Sequence, residues 1–95
     1  MKVRFKSSFI KDLKKLPDGV KQQIERLVYI EIPTLNQFSD IRNIKKIEGD
    51  ENYYRIRIGN YRIGFEKRED FLVFHRVLHR KDIYRYFPKL TKRKE

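Results

Sequence analysis

The chain has no cysteine and no tryptophan, and only four glycines and three prolines in 95 residues. Without cysteine there is no disulfide framework and no thiolate metal site. Two histidines with no carboxylate cluster beside them do not make a zinc site, so no metal ligands are expected. The P-loop, Gly-x-Gly-x-x-Gly and His-Glu-x-x-His patterns are missing, as is an acidic pair spaced for two-metal phosphoryl chemistry, and no small-molecule cofactor is expected. No apolar run is long enough for a bilayer span or a signal sequence, so the expectation is a soluble cytoplasmic protein with no membrane partner. Repeats and low-complexity segments are also absent.

Acidic residues are in short supply too. Lys and Arg number 24 against 13 Asp and Glu, a net charge of +11. Residues 1 to 52 carry 11 basic against 8 acidic side chains (+3), and residues 53 to 95 carry 13 against 5 (+8). A one-sided basic surface favours a polyanion or an acidic protein as partner, through counterion release and electrostatic steering. The length fits a single domain over 1–90, with the basic stretch 91–95 as a frayed tail.

Apolar spacing supplies the elements. Val3 and Phe5 alternate with charge in a first strand, Lys2 to Lys6. Phe9, Ile10, Leu13 and Leu16 recur at helical spacing after an N-cap at Ser7 or Ser8, and Pro17-Asp18-Gly19 closes that helix. A second helix carries Val20, Ile24, Leu27 and Val28 on one stripe, with Asp18 available as its cap, so the two form an antiparallel hairpin. Pro33 ends this helix or bends its last turn. Leu35 and Phe38 tuck onto the core from a loop, and a second strand is read over 44–48.

The stretch from Tyr53 to Arg80 is an antiparallel meander of three strands, punctuated by Gly59-Asn60 and Glu69-Asp70. Alternation puts Tyr54, Ile56 and Ile58 on one face and Tyr53, Arg55 and Arg57 on the other. In the next strand Tyr61, Ile63 and Phe65 oppose Arg62, Gly64 and Glu66. A core-facing layer is therefore backed by a cationic one containing a bare glycine. By the same alternation His75 and His79 share a face, about 13 Å apart by strand rise. Ile83, Tyr84 and Phe87 at one-turn spacing before Pro88 predict a short C-terminal helical turn. The expected architecture is α+β: an N-terminal strand, an antiparallel helical hairpin packed on one face of a curved, mainly antiparallel β-sheet, and a short C-terminal helical element. The opposite, arginine-bearing face stays partly open.

RNA cleavage needs no metal, because the 2′-hydroxyl is a nucleophile already adjacent to the scissile phosphate. The protein must align it, disperse charge on the phosphorane-like transition state and help move protons. Guanidinium groups suit the second task, since their planar fork matches phosphate oxygens. Tyr can position or accept a proton, and aromatic faces stack splayed bases.

The run YYRIRIGNYRIGFEKREDFLVFHRVLHRKDIYRYF resembles the C-terminal half of the RelE/ParE toxin superfamily, and the element order of about 90 residues is similar as well. In the RelE branch the resemblance implies the toxin of a toxin-antitoxin pair, an endoribonuclease that cuts mRNA in the ribosomal A site and is neutralised by a cognate antitoxin. It implies that Arg62 stabilises transition-state charge. Arg55 and Arg57 fall where RelE has two lysines, implicated in phosphate binding and proton transfer. Arg80 matches the basic residue closing the last strand, and Tyr84 the C-terminal catalytic tyrosine, with Tyr86 as fallback and His79 as the remaining acid/base. The catalytic set is thus Arg57, Arg62, Arg80 and Tyr84, and the substrate-binding set Arg55, Arg76, His79 and Tyr86. The alternatives are a ParE-like toxin directed at DNA gyrase and a non-catalytic basic module that binds RNA or protein through the same fold.

Overall fold

The computed structural model describes residues 1–47, 49 and 52–88. Strand β1 (Lys2–Phe5) leads into helix α1 (Ser7–Lys14) and then α2 (Asp18–Glu25). The second helix continues through a π-helical turn, Arg26–Glu31, into a last α turn, α3 (Ile32–Thr34). Pro33 sits in that closing turn. It has no N–H for the carbonyl one turn back, and the wider π turn lies immediately before it. A 3₁₀ turn at Phe38–Asp40 precedes β2 (Ile44–Lys46), β3 (Tyr53–Ile58), β4 (Tyr61–Lys67), β5 (Phe71–His79) and a short helical turn, α4 (Ile83–Tyr86).

The five strands form one sheet in the order β1-β5-β4-β3-β2. Only β1 runs parallel to its neighbour, β5. The expected strand over 44–48 is observed at 44–46, and the Ile47 N–H still reaches the Tyr53 carbonyl at 2.9 Å; Glu48 lies outside the described residues. So does the tail read at 91–95.

The helical hairpin covers one sheet face, as the apolar stripes require. Phe9, Leu13, Ile24, Val28 and Ile32 are buried against Ile56, Ile63, Phe65, Leu72, Phe74 and Val77. Each such side chain contributes about 1.5–3 kcal/mol by leaving water. Leu35 and Phe38 pack on this core from the loop, as their apolar character suggests.

Three expectations of the alternation and capping patterns fail for definite reasons. Neither Ser7 nor Ser8 caps α1, whose N-cap position is Lys6; the Ser8 hydroxyl instead donates to the His75 carbonyl at 2.7 Å. Asp18 is likewise inside α2, behind Pro17, and makes no side-chain cap. The histidines do not share a face. A bulge between β4 and β5 pairs Gly64 with Arg76 but Phe65 with Phe74, leaving His75 as the extra residue. The extra residue inverts the phase of everything after it. His79 therefore pairs with Tyr61 on the helix side, while His75 faces the other way toward Tyr53 and Phe87.

β1 pairs with β5 only as far as Phe74, so the edge of β5 beyond it has no strand neighbour on that side. Helix α1 closes it with side chains: Ser8 takes the His75 carbonyl, and the buried Asp12 carboxylate accepts from the Val77 N–H at 3.1 Å.

Candidate functional site

The sheet face away from the hairpin carries Tyr53, Arg55 and Arg57 from β3 opposite Glu66, Gly64 and Arg62 from β4. Arg57 and Arg62 are directly opposed, an arrangement that costs stability because like charges face each other at close range. Arg80, just beyond β5, joins the same end: its backbone N–H donates to the Asn60 carbonyl at 2.7 Å. Among the described residues none of Arg55, Arg57, Arg62 and Arg80 has a carboxylate within ion-pair distance.

Arg62 is held at the centre of this group. One of its terminal nitrogens (Nη1) donates to the Gly59 carbonyl at 2.9 Å and to the Tyr61 carbonyl at 3.0 Å, fixing the guanidinium against the β3–β4 turn. Gly59 has φ +57, the left-handed conformation that this tight turn needs. Burial, together with the charges of Arg55, Arg57 and Arg80, lowers the Arg62 pKa from its ordinary value, and Tyr84 acts in the opposite sense. The guanidinium remains charged, and the depression reflects burial first and the neighbouring like charges second. Arg55 gives its Nη1 to the Asn43 carbonyl at 3.3 Å, while its Nε is buried with no partner among the described residues. Asn43 adopts φ 60 and also accepts from the Arg57 N–H at 3.0 Å. Its carbonyl thus pins both β3 arginines, a role that the composition of the loop alone did not reveal.

An open groove of about 530 Å³ lies along this end, lined by Gln23, Asn43, Arg57, Gly59, Asn60, Arg62 and Arg80 with Ile58. Tyr84, 56 % exposed, stands at its side on α4 and is within electrostatic reach of Arg62. What α4 contributes is a ridge across the middle of the face. Ile83 and Phe87 are buried, and Phe87 lies on Gly64, where a Cβ would come within 2.3 Å of the ring. The bare glycine in the cationic layer is the seat for that ring.

Across the ridge is a second pocket of about 320 Å³, and here both arginines, Arg68 and Arg76, are paired. Arg76 makes a two-pronged ion pair with Asp12, at 2.7 and 3.0 Å, and its guanidinium lies 5.2 Å from the Tyr86 ring centre. Glu66 accepts from Arg68 Nε at 2.6 Å and lies 3.0 Å from His75 Nε2. Burial opposes the Glu66 charge, but the hydrogen bonds from Arg68 and His75 outweigh it and leave its pKa below the ordinary value. Burial lowers the His75 pKa despite Glu66, so at neutral pH the imidazole is neutral and its Nε2–H is the donor.

The structure therefore brings Arg55, Arg57, Arg62, Arg80 and Tyr84 together and separates the other three candidates from them. Arg76 and Tyr86 line the second pocket. His79 lies on the helix side of the sheet, its ring 5.6 Å from Tyr61 and its Nδ1 accepting from the Lys81 N–H at 3.1 Å. Sequence reasoning missed the Glu66, Arg68 and His75 cluster, because the hydrogen bond from His75 to Glu66 depends on a bulge that no residue type announces.

A protein-family model described as the ParE toxin of type II toxin-antitoxin systems, parDE, matches residues 3–84. A curated relative named Toxin RelE3, from Methanocaldococcus jannaschii, is 52% identical over 89 residues, covering 93% of this chain and 100% of the relative. Among solved structures, the crystal structure of a RelB-RelE antitoxin-toxin complex from Methanococcus jannaschii contains a chain that is 47% identical, with a TM-score of 0.76 over 90% of this chain and 99% of that one. The isolated E. coli RelE toxin shares the fold at 16% identity, with a TM-score of 0.62 over 82% of each chain. The arginine-faced sheet under a helical hairpin, matched over nearly its whole length, belongs to the ParE/RelE family of toxins from type II toxin-antitoxin systems.

Proposed function

We propose that this toxin is an endoribonuclease that cuts mRNA on the ribosome. The observation that carries the reading is the arginine group centred on Arg62, which has no carboxylate partner among the described residues and is open to a groove beside Tyr84. Identity of 52% to a toxin of the RelE name supports that branch.

In this mechanism the RNA supplies its own nucleophile. The 2′-hydroxyl loses its proton to solvent as its oxygen attacks the adjacent phosphorus, the bond to the 5′-oxygen breaks, and a 2′,3′-cyclic phosphate results. Arg62, immobilised by the turn carbonyls, meets the charge that builds on the non-bridging oxygens, and its preorganisation means no reorientation is needed at that moment. Arg57 and Arg80 at the groove walls hold the phosphates on either side and align the attack. Arg55, tied to Asn43, reinforces the field from beneath. Tyr84 is placed to hand a proton to the departing 5′-oxygen, a role His79 cannot reach from the other side of the sheet. Ribosome binding supplies the alignment of the substrate strand that an open groove on a small domain does not.

A cognate antitoxin is the second partner. The net charge of +11 and the exposed cationic groove suit an acidic segment laid over it.

The test is a toeprint on translating ribosomes comparing wild type with Arg62→Ala, with naked RNA as control. Cuts in the A-site codon that appear with wild type and vanish in the variant are expected. Intact mRNA on ribosomes in the presence of a folded toxin would overturn the reading. The ParE description of the matched family favours gyrase as the target in that event, and a DNA supercoiling assay would read it.

A further inference from the structure

We propose that Asn43 is a positioning residue for cleavage: its left-handed backbone aims a carbonyl at Arg55 and Arg57, and its neutral side chain keeps a carboxylate out of the groove around Arg62. The effect on cleavage rests on the ribonuclease reading; the hold on the two arginines does not.

Two residues with positive φ flank the arginine group, and each turns a carbonyl toward it. Gly59, with φ 57, accepts from Arg62 Nη1 at 2.9 Å. Asn43, with φ 60, accepts from Arg55 Nη1 at 3.3 Å and from the Arg57 N–H at 3.0 Å. That bond is the one the Arg55 side chain makes among the described residues, since its Nε is buried without a partner there. Arg57 is itself paired with Arg62 on β4, so both members of the like-charged pair are steadied by a carbonyl from a left-handed residue. Carbonyl dipoles offset part of the repulsion and, unlike carboxylates, leave each formal charge to a phosphate.

The loop leaves little room for adjustment. Ile41 is buried, and Ile44 pairs with Ile56 and packs on the core, so the chain is anchored on either side of Asn43. A residue that rejects the left-handed region must re-aim the peptide that follows it, and with it this carbonyl.

Residue type narrows the role further. Glycine enters the left-handed region freely, asparagine and aspartate visit it far more readily than other side chains, and β-branched residues are outliers there. The Asn43 amide makes no hydrogen bond among the described residues, so the position is chosen for its backbone and its charge and not for a side-chain contact. Glycine would loosen the turn. Aspartate would keep the turn but place a carboxylate in a lining that includes Arg57, Arg62 and Arg80, giving those cations an internal partner.

The test compares Asn43→Gly, Asn43→Asp and Asn43→Val in the full-length toxin by two readouts. NMR follows the Arg57 backbone amide and the Arg55 Nε–H. Single-turnover cleavage of ribosome-bound mRNA, with toxin in excess, separates the saturated rate from the concentration that half-saturates it. A loss of folded fraction raises only that concentration. Asn43→Val should move both NMR signals and lower the saturated rate by about 10- to 100-fold, the scale of loss for a small misplacement of catalytic groups. Asn43→Gly should keep both signals and restore the rate. Asn43→Asp should keep the Arg57 signal but need more toxin for half-saturation. A folded Asn43→Val with wild-type signals, or with the saturated rate of Asn43→Gly, would overturn the positioning role. Should Asn43→Val fail to fold, Asn43→Ala, a milder departure from the left-handed region, takes its place under the same two criteria. Equal half-saturation by the Gly and Asp variants would refute the need for a neutral side chain. Signals that move in Asn43→Val and stay in Asn43→Gly, in a toxin that cuts no mRNA, would support the hold on the arginines and count against the ribonuclease reading alone.

Discussion

The two ends of the open sheet face use the same residue type in opposite ways. At one end Arg76 and Arg68 are each matched by a carboxylate, Asp12 and Glu66. At the other, Arg55, Arg57 and Arg80 surround Arg62, none of the four has a carboxylate within ion-pair distance among the described residues, and Arg57 directly opposes Arg62. Paired arginines hold elements together, and the Arg76 pair fastens α1 to the edge of β5. Unpaired arginines on a rigid sheet cost stability that the core has to offset, and they leave a surface suited to a ligand that carries negative charge.

The strongest way to break the contrast is to remove a partner at the paired end. Asp12→Ala strands the Arg76 guanidinium and leaves the Val77 N–H without its acceptor, and should cost about 3–5 kcal/mol in urea unfolding. At the unpaired end the expectation reverses. Arg62→Ala should lower the cleavage rate by about 3 kcal/mol of transition-state stabilisation, over a hundredfold, while the unfolding midpoint moves little. A variant that lost stability in step with activity would show that Arg62 is structural.

The ridge between the two ends offers the next test. Gly64→Ala drives a methyl into the Phe87 ring and should cost about 1–3 kcal/mol by overpacking. It should also reduce cleavage by lifting α4 and with it Tyr84. Pairing it with Phe87→Ala should recover part of the cost in a double-mutant cycle.

A smaller effect comes from acid. Glu66 and His75 both have folded pKa values below their ordinary values of 4.5 and 6.5, so the unfolded chain binds more protons at each. Their stability contribution is present above the ordinary values and is lost as pH falls, first through the His75 range and then through that of Glu66. The urea midpoint should decline from pH 7 downward, and the decline should flatten in His75→Gln. A midpoint that rises on acidification would contradict the assigned directions. The smallest change is Arg57→Gln, which relieves the repulsion across from Arg62 and should raise stability by a few tenths of a kcal/mol.

Much of this was legible because local chemistry dictates it. The Gly59-Asn60 and Glu69-Asp70 turns delimit β3, β4 and β5, and period-two alternation assigns Arg55, Arg57 and Arg62 to one face. The apolar stripes of both helices point where the core requires. What stayed hidden depends on contacts between distant residues. Asp12 reads as one more charge on a helix until the fold brings it to Arg76, 64 positions away. Gly64 reads as a gap until Phe87 occupies it. The bulge at His75 has no marker residue, and it alone moves His79 to the wrong side for the chemistry its type suggests.

The closure of β5 by α1 bears on how the toxin behaves when it is alone. A strand edge with bare peptide groups is a template on which another chain can lay a strand, and stacked copies are the route to aggregates. Ser8 and Asp12 occupy the peptide groups of His75 and Val77 that β1 does not reach. At the far border of the sheet, β2 is only three residues long and carries Lys45 and Lys46, so copies repel before they can pair. The stretch of β5 that β1 leaves open is closed by covalently tethered mimics of a neighbouring strand and the β2 border is guarded by charge, and both favour a freed toxin that stays a monomer long enough to find its target.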